Sequence, residues 1–228
     1  MPAPSIAAVL FDLDDTILDR RTTLDRYLVN LPLRGLVPPA IAEKFRARFH
    51  ELDECGYSNR RSMFRQLVAE FAEFADIGSP DALRDDYRAR AWSDSVFAEG
   101  AVDVLAWCRR SGIRLGIVTN GSSTVQRAKL DALRLWDLVD TVAIADEEGI
   151  AKPAAEVFHR TAARLGVTAA ACLVVGDSPQ ADIVGARNAG MRHVWIRAGL
   201  PWPPDVGVPS HSLVRLTELP GLIIQLGQ

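Results

Sequence analysis

Two aspartates close an apolar run near the start of the chain. Val9-Leu10-Phe11 reads as a strand buried on both faces, the pattern of a parallel sheet, and Asp12-Leu13-Asp14-Asp15-Thr16 follows at once. Asp12 and Asp14 share one side of the chain if the extended geometry persists. At about 4 Å and an effective dielectric of about 20, two like charges repel by roughly 4 kcal/mol. A divalent cation, or a proton kept on one carboxyl, removes that strain. A solvated acidic turn is the plainer alternative, since Asp and Thr are ordinary turn residues.

Further polar groups follow other apolar strands. Thr119-Asn120-Gly121 comes after Leu115-Gly116-Ile117-Val118, and Gly176-Asp177 after Leu173-Val174-Val175. In an open α/β sheet, ligands bind outside the carboxyl ends of the strands, so these groups converge on one edge. Thr119 offers a hydroxyl, and the amides of Asn120 and Gly121 open a helix whose N-terminus favours an anion such as phosphate. Lys152, in a short loop before a helix, supplies a point charge for phosphate oxygens and for the carboxylates. Asp177 is a hard oxygen ligand suited to Mg²⁺, and Gly176 lets the backbone approach closely. Asp182, early in the next helix, could orient Lys152 or a metal-bound water; a helix-start acid stabilised by the macrodipole is the alternative.

The elements that must position these groups alternate. From about Ala98 to Ile196 the periodicity predicts helix (Val102–Cys108), strand (Leu115–Val118), helix (to about Leu133), strand (Val142–Ala145), a helix opened by Pro153, strand (Leu173–Val175), helix (Pro179–Ala189) and strand (His193–Ile196). That rhythm means a parallel, doubly wound α/β sheet. Residues from about Ile17 to Ser95 break it. Leu52, Met63, Phe64, Leu67, Val68, Phe71 and Phe74 recur near helical spacing, so this segment reads as a helical insertion after the first strand. Gly199–Ser210 reads as a loop, with an edge strand and a short helix after it.

Composition narrows the class. The chain has 228 residues, 48% hydrophobic and 24% charged, enough for a large core with an insertion. A formal net charge of −3 does not suggest a nucleic-acid polymer as partner, and an anionic substrate needs local cations. Cys55, Cys108 and Cys172 are far apart and read as free thiols of a reducing compartment. Met1-Pro2-Ala3-Pro4-Ser5 lacks the features of a signal peptide, and no apolar run approaches a membrane span, so the expectation is a cytoplasmic protein.

Four ordered motifs carry a resemblance: Phe11-Asp12-Leu13-Asp14-Asp15-Thr16, Val118-Thr119-Asn120-Gly121, Ala151-Lys152-Pro153 and Val175-Gly176-Asp177-Ser178-Pro179-Gln180-Ala181-Asp182. With them the chain resembles the haloacid dehalogenase-like hydrolase superfamily. Its wording is similar to the subgroup holding pyrimidine 5′-nucleotidases and N-acylneuraminate-9-phosphatases. The resemblance implies a Rossmann-like core at 1–16 and 96–228, a helical cap at 17–95, bound Mg²⁺ and an aspartyl-phosphate intermediate. Asp12 would be nucleophile and metal ligand. Asp14 would be acid/base and lend its carbonyl to the metal. Thr119, Asn120, Gly121 and Lys152 would hold the phosphoryl group, Asp177 would complete the metal site, and Asp182 would stand behind it. The founding dehalogenases lack the Asp14 carboxylate, so its presence points to phosphate esters.

The expected substrate is a small phosphorylated metabolite, a nucleotide or sugar phosphate, handled by a monomer or homodimer. The inserted helices leave the core just after Thr16, so they are expected to pass over the phosphate edge. Tyr57, Arg60 and Arg61 are then candidates for specificity, although a charged run on such an insert more often faces water. A phosphomutase, a receiver-like phospho-accepting module and a catalytically dead binding protein are the alternatives. The long insertion and Asp177 argue against the receiver.

Overall fold

The computed structural model describes residues 6–56, 58–73, 76–197 and 202–227. Met1–Ser5, Tyr57, Phe74 and the start of the Gly199–Ser210 stretch lie outside the described residues. In chain order the elements begin with β1 (Ala8–Phe11) and four helices, α1 (Arg20–Val29), α2 (Ala42–Asp53), α3 (Arg60–Phe71) and α4 (Pro80–Arg90). Then come α5 (Ala101–Arg110), β2 (Arg114–Thr119), α6 (Ser123–Ala132), β3 (Thr141–Ile144), the single turn α7 (Ala145–Glu148) and α8 (Ala155–Arg164). β4 (Cys172–Gly176), α9 (Gly185–Asn188), β5 (Arg192–Ile196), β6 (His211–Leu213) and α10 (Leu219–Leu226) complete the chain.

The strands form one six-stranded sheet in the order β3-β2-β1-β4-β5-β6, and every pairing is parallel. β1 is central and fully buried, which is why its sequence is a continuous apolar run. Alternate residues feed opposite layers. Val9 and Phe11 join Leu115, Ile117, Leu173 and Val175 against Val104 and Leu105 of α5, Leu130 of α6 and Ile223 of α10. Ala8 and Leu10 join Val118 and Val174 against Val157 and Phe158 of α8 and Ala186 of α9. Helices therefore cover both faces of the sheet, as the doubly wound reading requires.

The chain divides into two compact units, residues 1–20 with 95–228 and residues 21–94. The sequence places the boundary near Thr16. Main-chain bonds explain the difference. Asp19 N–H donates to the Val96 carbonyl and Ala98 N–H to that of Ile17, so the outgoing and returning strands of chain pair within the core unit. The inserted unit has its own core. The Tyr87 ring packs against Tyr27, Phe49, Phe64 and Trp92 at centroid separations of 5.6–6.0 Å.

Two helices differ from expectation. The helix after Lys152 starts at Ala155 rather than Pro153, because the Asn120 side chain holds the main chain of Lys152 at both its N–H and its carbonyl, in a turn. The helix expected over Pro179–Ala189 opens as a wide π-type turn, Pro179–Val184, before α9 begins. Cys108 and Cys172 are buried free thiols, and burial pushes them up to about 12 and about 11, away from reactivity.

Packing sets one prediction. Gly185 opens α9 with ordinary helical backbone, yet a Cβ there would lie 2.5 Å from the Phe158 ring and 3.2 Å from the Pro153 Cα. Gly185→Ala gains at most about 1 kcal/mol of helix propensity. Overpacking outweighs it, so the variant is expected to be less stable by about 1–2 kcal/mol in urea unfolding. Unchanged or raised stability would show that the α8–α9 contact yields freely.

Candidate active site

The sheet register builds the site. Phe11 lies beside Ile117 and Val175, so Asp12 leaves β1 where β2 ends in Thr119 and β4 gives way to Asp177. The Asp12 N–H still donates to the Val175 carbonyl, which keeps this residue in line with the sheet. Thr119, Lys152 and Asp182 are all buried, with Asp12 at 8% exposure and Asp182 at 1%.

Lys152 is the central cation. Its ammonium donates to Asp12 Oδ1 at 2.5 Å and to Asp182 Oδ1 at 2.6 Å. Asp182 Oδ2 accepts from the Ser178 N–H at 3.0 Å, so both of its oxygens are partnered. Asp182 thus orients Lys152, one of the two roles the sequence leaves open. Gly176 makes room: a Cβ there would stand 2.2 Å from Asp182 Oδ2.

One lysine faces three carboxylates. Asp12, Asp177 and Asp182 each present an oxygen within 4.8 Å of the others. At about 5 Å and an effective dielectric of about 20, each like-charged pair costs roughly 3 kcal/mol. Burial, with Asp182 and Asp14 adding to it, pushes Asp12 up to about 7 against the pull of Lys152. Burial and the charges of Asp12 and Asp182 push Asp177 up to about 9. Burial alone would lower Lys152, but Asp12 and Asp182 outweigh it and hold the ammonium charged. Fully ionised, the cluster would carry excess negative charge, so it holds on to protons; its hard oxygen donors suit a divalent cation that would take their place. With Asp182 committed to Lys152 and Ser178, Asp12 and Asp177 are the carboxylates left for such an ion. Trp195 steadies the latter segment, its indole N–H donating to the Asp177 carbonyl at 2.8 Å, and Trp202 packs edge-on against Trp195.

Asp14 stands in a separate arrangement that the sequence reading misses. Lys129 of α6 donates to both of its oxygens, at 2.8 and 2.7 Å, and Gln126 donates to Oδ2 at 3.1 Å. Gln126 also donates to the Thr119 hydroxyl oxygen at 2.6 Å. Burial would raise the Asp14 carboxyl, but the Lys129 charge and hydrogen bonds outweigh it and hold the group below the usual range. The available signal was a Gln and a Lys three residues apart, one helical face, in the helix that follows Thr119-Asn120-Gly121.

The phosphate-binding candidates make different contacts in the structure. Thr119 is buried beside Gln126, and the Asn120 side chain is occupied by the main chain of Lys152. Gly121 has φ +129°, and its missing side chain leaves space for Gln126, whose carbons would approach a Cβ to 3.2–3.3 Å. No serine side chain caps α6; the Asp146 carboxylate accepts from the Ser123 N–H at 2.9 Å instead. In the inserted unit, Arg60 is tied to buried Asp53 at 2.6 Å and lies over the Tyr87 ring. Arg61 is exposed near the start of α3, where its main-chain N–H is capped by Asn59.

A doubly wound parallel sheet with carboxylates and a lysine at its carboxyl edge defines an α/β enzyme whose site is suited to anionic substrates and a hard cation. The family profile described as haloacid dehalogenase-like hydrolase matches residues 6–190, and the chain belongs to that family. It is 32% identical over 206 residues to a glyceraldehyde 3-phosphate phosphatase of Pyrococcus abyssi, covering 85% of this chain and 82% of that one. Identity to the N-acylneuraminate-9-phosphatase of Mus musculus is 26%, covering 96% and 94%. Among solved structures, the HAD-hydrolase YfnB from Bacillus subtilis bound to magnesium superposes with a TM-score of 0.73 at 25% identity, covering 96% and 99%. The protein is an enzyme, a phosphoric monoester hydrolase. Among the described residues, no helix is long and apolar enough to cross a membrane.

The charge balance is testable. Lys152→Met leaves Asp12 and Asp182 buried without a cation, and removing one partner of a buried pair typically costs about 3–5 kcal/mol. Urea unfolding in EDTA is expected to show a loss of that order. A loss below about 1 kcal/mol would mean that Lys152 is not what neutralises the cluster.

Proposed function

We propose that this chain is a Mg²⁺-dependent phosphatase that hydrolyses a small phosphomonoester through a phosphorylated Asp12. The observation that carries the reading is Asp12 itself: a buried carboxylate at the end of the central strand, paired to Lys152 and close to Asp177. A carboxylate so placed suits nucleophilic attack, which divides one difficult displacement into two. Asp12 and Asp177, with the main-chain carbonyl of Asp14 by family resemblance, would hold the metal. When bound, the ion supplies positive charge that offsets repulsion between carboxylate and phosphate.

The residues of the chain divide the remaining work. An Asp12 oxygen attacks phosphorus and the ester P–O bond breaks. The leaving oxygen takes a proton from Asp14. Water then attacks the same phosphorus, Asp14 takes the proton released, and the Asp12–phosphate bond breaks to give inorganic phosphate. Held ionised by Lys129 at rest, Asp14 is already in the form that serves the second step; it takes up a proton to serve the first. Lys152, the Thr119 hydroxyl and the amides of Asn120 and Gly121 would receive the phosphoryl oxygens.

The inserted helices, residues 17–95 in the sequence reading, form the proposed cap. They leave the chain shortly after the Asp12–Thr16 segment and return before α5. Since the core groups address only the phosphoryl group, discrimination among leaving groups falls to this unit. Tyr57 lies outside the described residues, and Arg60 is engaged by Asp53, which leaves Arg61 as the exposed cation among the three candidates. The relatives' names, glyceraldehyde 3-phosphate phosphatase and N-acylneuraminate-9-phosphatase, support a small phosphorylated metabolite as substrate.

Asp12→Asn is expected to lose at least about a thousandfold in p-nitrophenyl phosphate turnover while unfolding at the wild-type urea midpoint or above it. Near-wild-type turnover refutes the covalent route. EDTA is expected to stop wild-type hydrolysis and excess Mg²⁺ to restore it; activity that survives exhaustive chelation removes the metal from the scheme. Asp14→Asn is expected to slow an alkyl phosphate such as glycerol phosphate by about 10²–10⁴, and p-nitrophenyl phosphate far less, because nitrophenolate hardly needs a proton. Equal losses on the two esters count against proton transfer by Asp14.

A further inference from the structure

The geometry points to Lys129 and Gln126 as positioning residues that together set the Asp14 carboxylate and the Thr119 hydroxyl from a single helix, an inference that rests on the phosphatase reading above. Both side chains are buried, Gln126 at 1% exposure and Lys129 at 4%, on the face of α6 turned toward the strand ends. Buried cations and amides of this kind need a reason, because each is costly to desolvate. Here every polar contact that faces Asp14 or Thr119 is aimed at a group proposed to do chemistry.

The direction of each hydrogen bond follows from donor and acceptor chemistry. A lysine ammonium only donates, so the Gln126 atom 2.8 Å from Lys129 Nζ is the amide oxygen. An ionised carboxylate only accepts, so the atom 3.1 Å from Asp14 Oδ2 is the amide nitrogen. The two assignments agree, and they leave the same nitrogen donating to Thr119 Oγ1 at 2.6 Å. With an N–H occupying the hydroxyl oxygen, the threonine's own proton must point elsewhere. Its only acceptor among the described residues is the Asn120 carbonyl, at a long 3.4 Å. Thr119 is thereby presented as a donor, the polarity a phosphoryl oxygen needs. Lys129, gripping both oxygens of Asp14, allows that carboxylate one orientation. Arg20, itself buried, adds positive charge on the same group.

The hydrogen bonds of Lys129 and Gln126 run to Asp14, to Thr119 and to each other, and the Lys129 charge is also felt at Asp12. The two arms meet at Asp14, which Gln126 also touches, and differ in their main target. Lys129 acts on the step that needs Asp14, and Gln126 acts on phosphate binding through Thr119.

The test uses the full chain with Mg²⁺, glycerol phosphate as the ester and inorganic phosphate as the binding probe. Lys129→Met is expected to lower kcat about tenfold or more with KM within about twofold, and to slow Asp14→Asn no further when the two are combined. Gln126→Met is expected to weaken inorganic phosphate binding, measured by calorimetry, about tenfold. A drop in kcat that persists undiminished in the Asp14→Asn background, wild-type kcat in Lys129→Met, or unchanged phosphate affinity in Gln126→Met overturns the inference. Should Lys129→Met not fold, the Asp14→Asn/Lys129→Met pair, which removes charge and partner together, is compared with Asp14→Asn, and any further slowing overturns the Lys129 arm. Wild-type protein inert toward every phosphomonoester refutes the phosphatase reading itself; active wild type with unaffected variants refutes only the positioning role.

Discussion

The structure of the core unit turns on an imbalance of charge: one buried ammonium, Lys152, among three carboxylates at the carboxyl edge of the sheet. Lys152 can neutralise one of them. The remainder is held in place because β1, β4 and the turn after Gly176 leave Asp12, Asp177 and Asp182 nowhere else to go. Such a cluster is expensive for a fold with no use for it. It makes sense as a receptor for positive charge, in a chain that belongs to a family of hydrolases.

Much of the neighbouring structure serves that lysine. Asn120 binds the main chain of Lys152 at both ends of one residue. Asp182 holds its ammonium from the far side, and Gly176 vacates the volume that the Asp182 carboxylate occupies. The wide turn over Pro179–Val184 delivers that carboxylate while its own N-terminus is capped by Ser178. Three separated stretches of sequence, at Asp12, at Asn120 and over residues 176–184, thus converge on one lysine.

A second cation, Lys129, organises the opposite flank. It binds Asp14 and, through Gln126, reaches Thr119. The two lysines keep the neighbouring aspartates apart in character. Asp12, with its lysine shared and burial dominant, is pushed up to about 7, whereas Asp14, with a lysine on both oxygens, is held low. Neighbouring carboxylates with opposed environments are how one site accommodates different roles.

The sequence alone determined the layered α/β core, because apolar runs with period-two burial on both faces and helices between them admit a parallel doubly wound sheet and little else. It also determined which edge gathers the polar groups, since strand ends of a parallel sheet lie on one side and Asp12, Thr119 and Asp177 each stand at the end of a strand. Tertiary structure decided the partners. Nothing in the spacing of Asp182 distinguishes a helix-start acid from a partner of Lys152; that choice depends on a loop 30 residues away. Lys129 and Gln126 read as ordinary helix residues until α6 packs against β1 and β2, and Arg60 reads as a solvated arginine until Asp53 is buried beneath it. Periodicity reports which face of an element is apolar. It does not report which polar groups from distant segments meet across that face, because those meetings are set by how the layers pack.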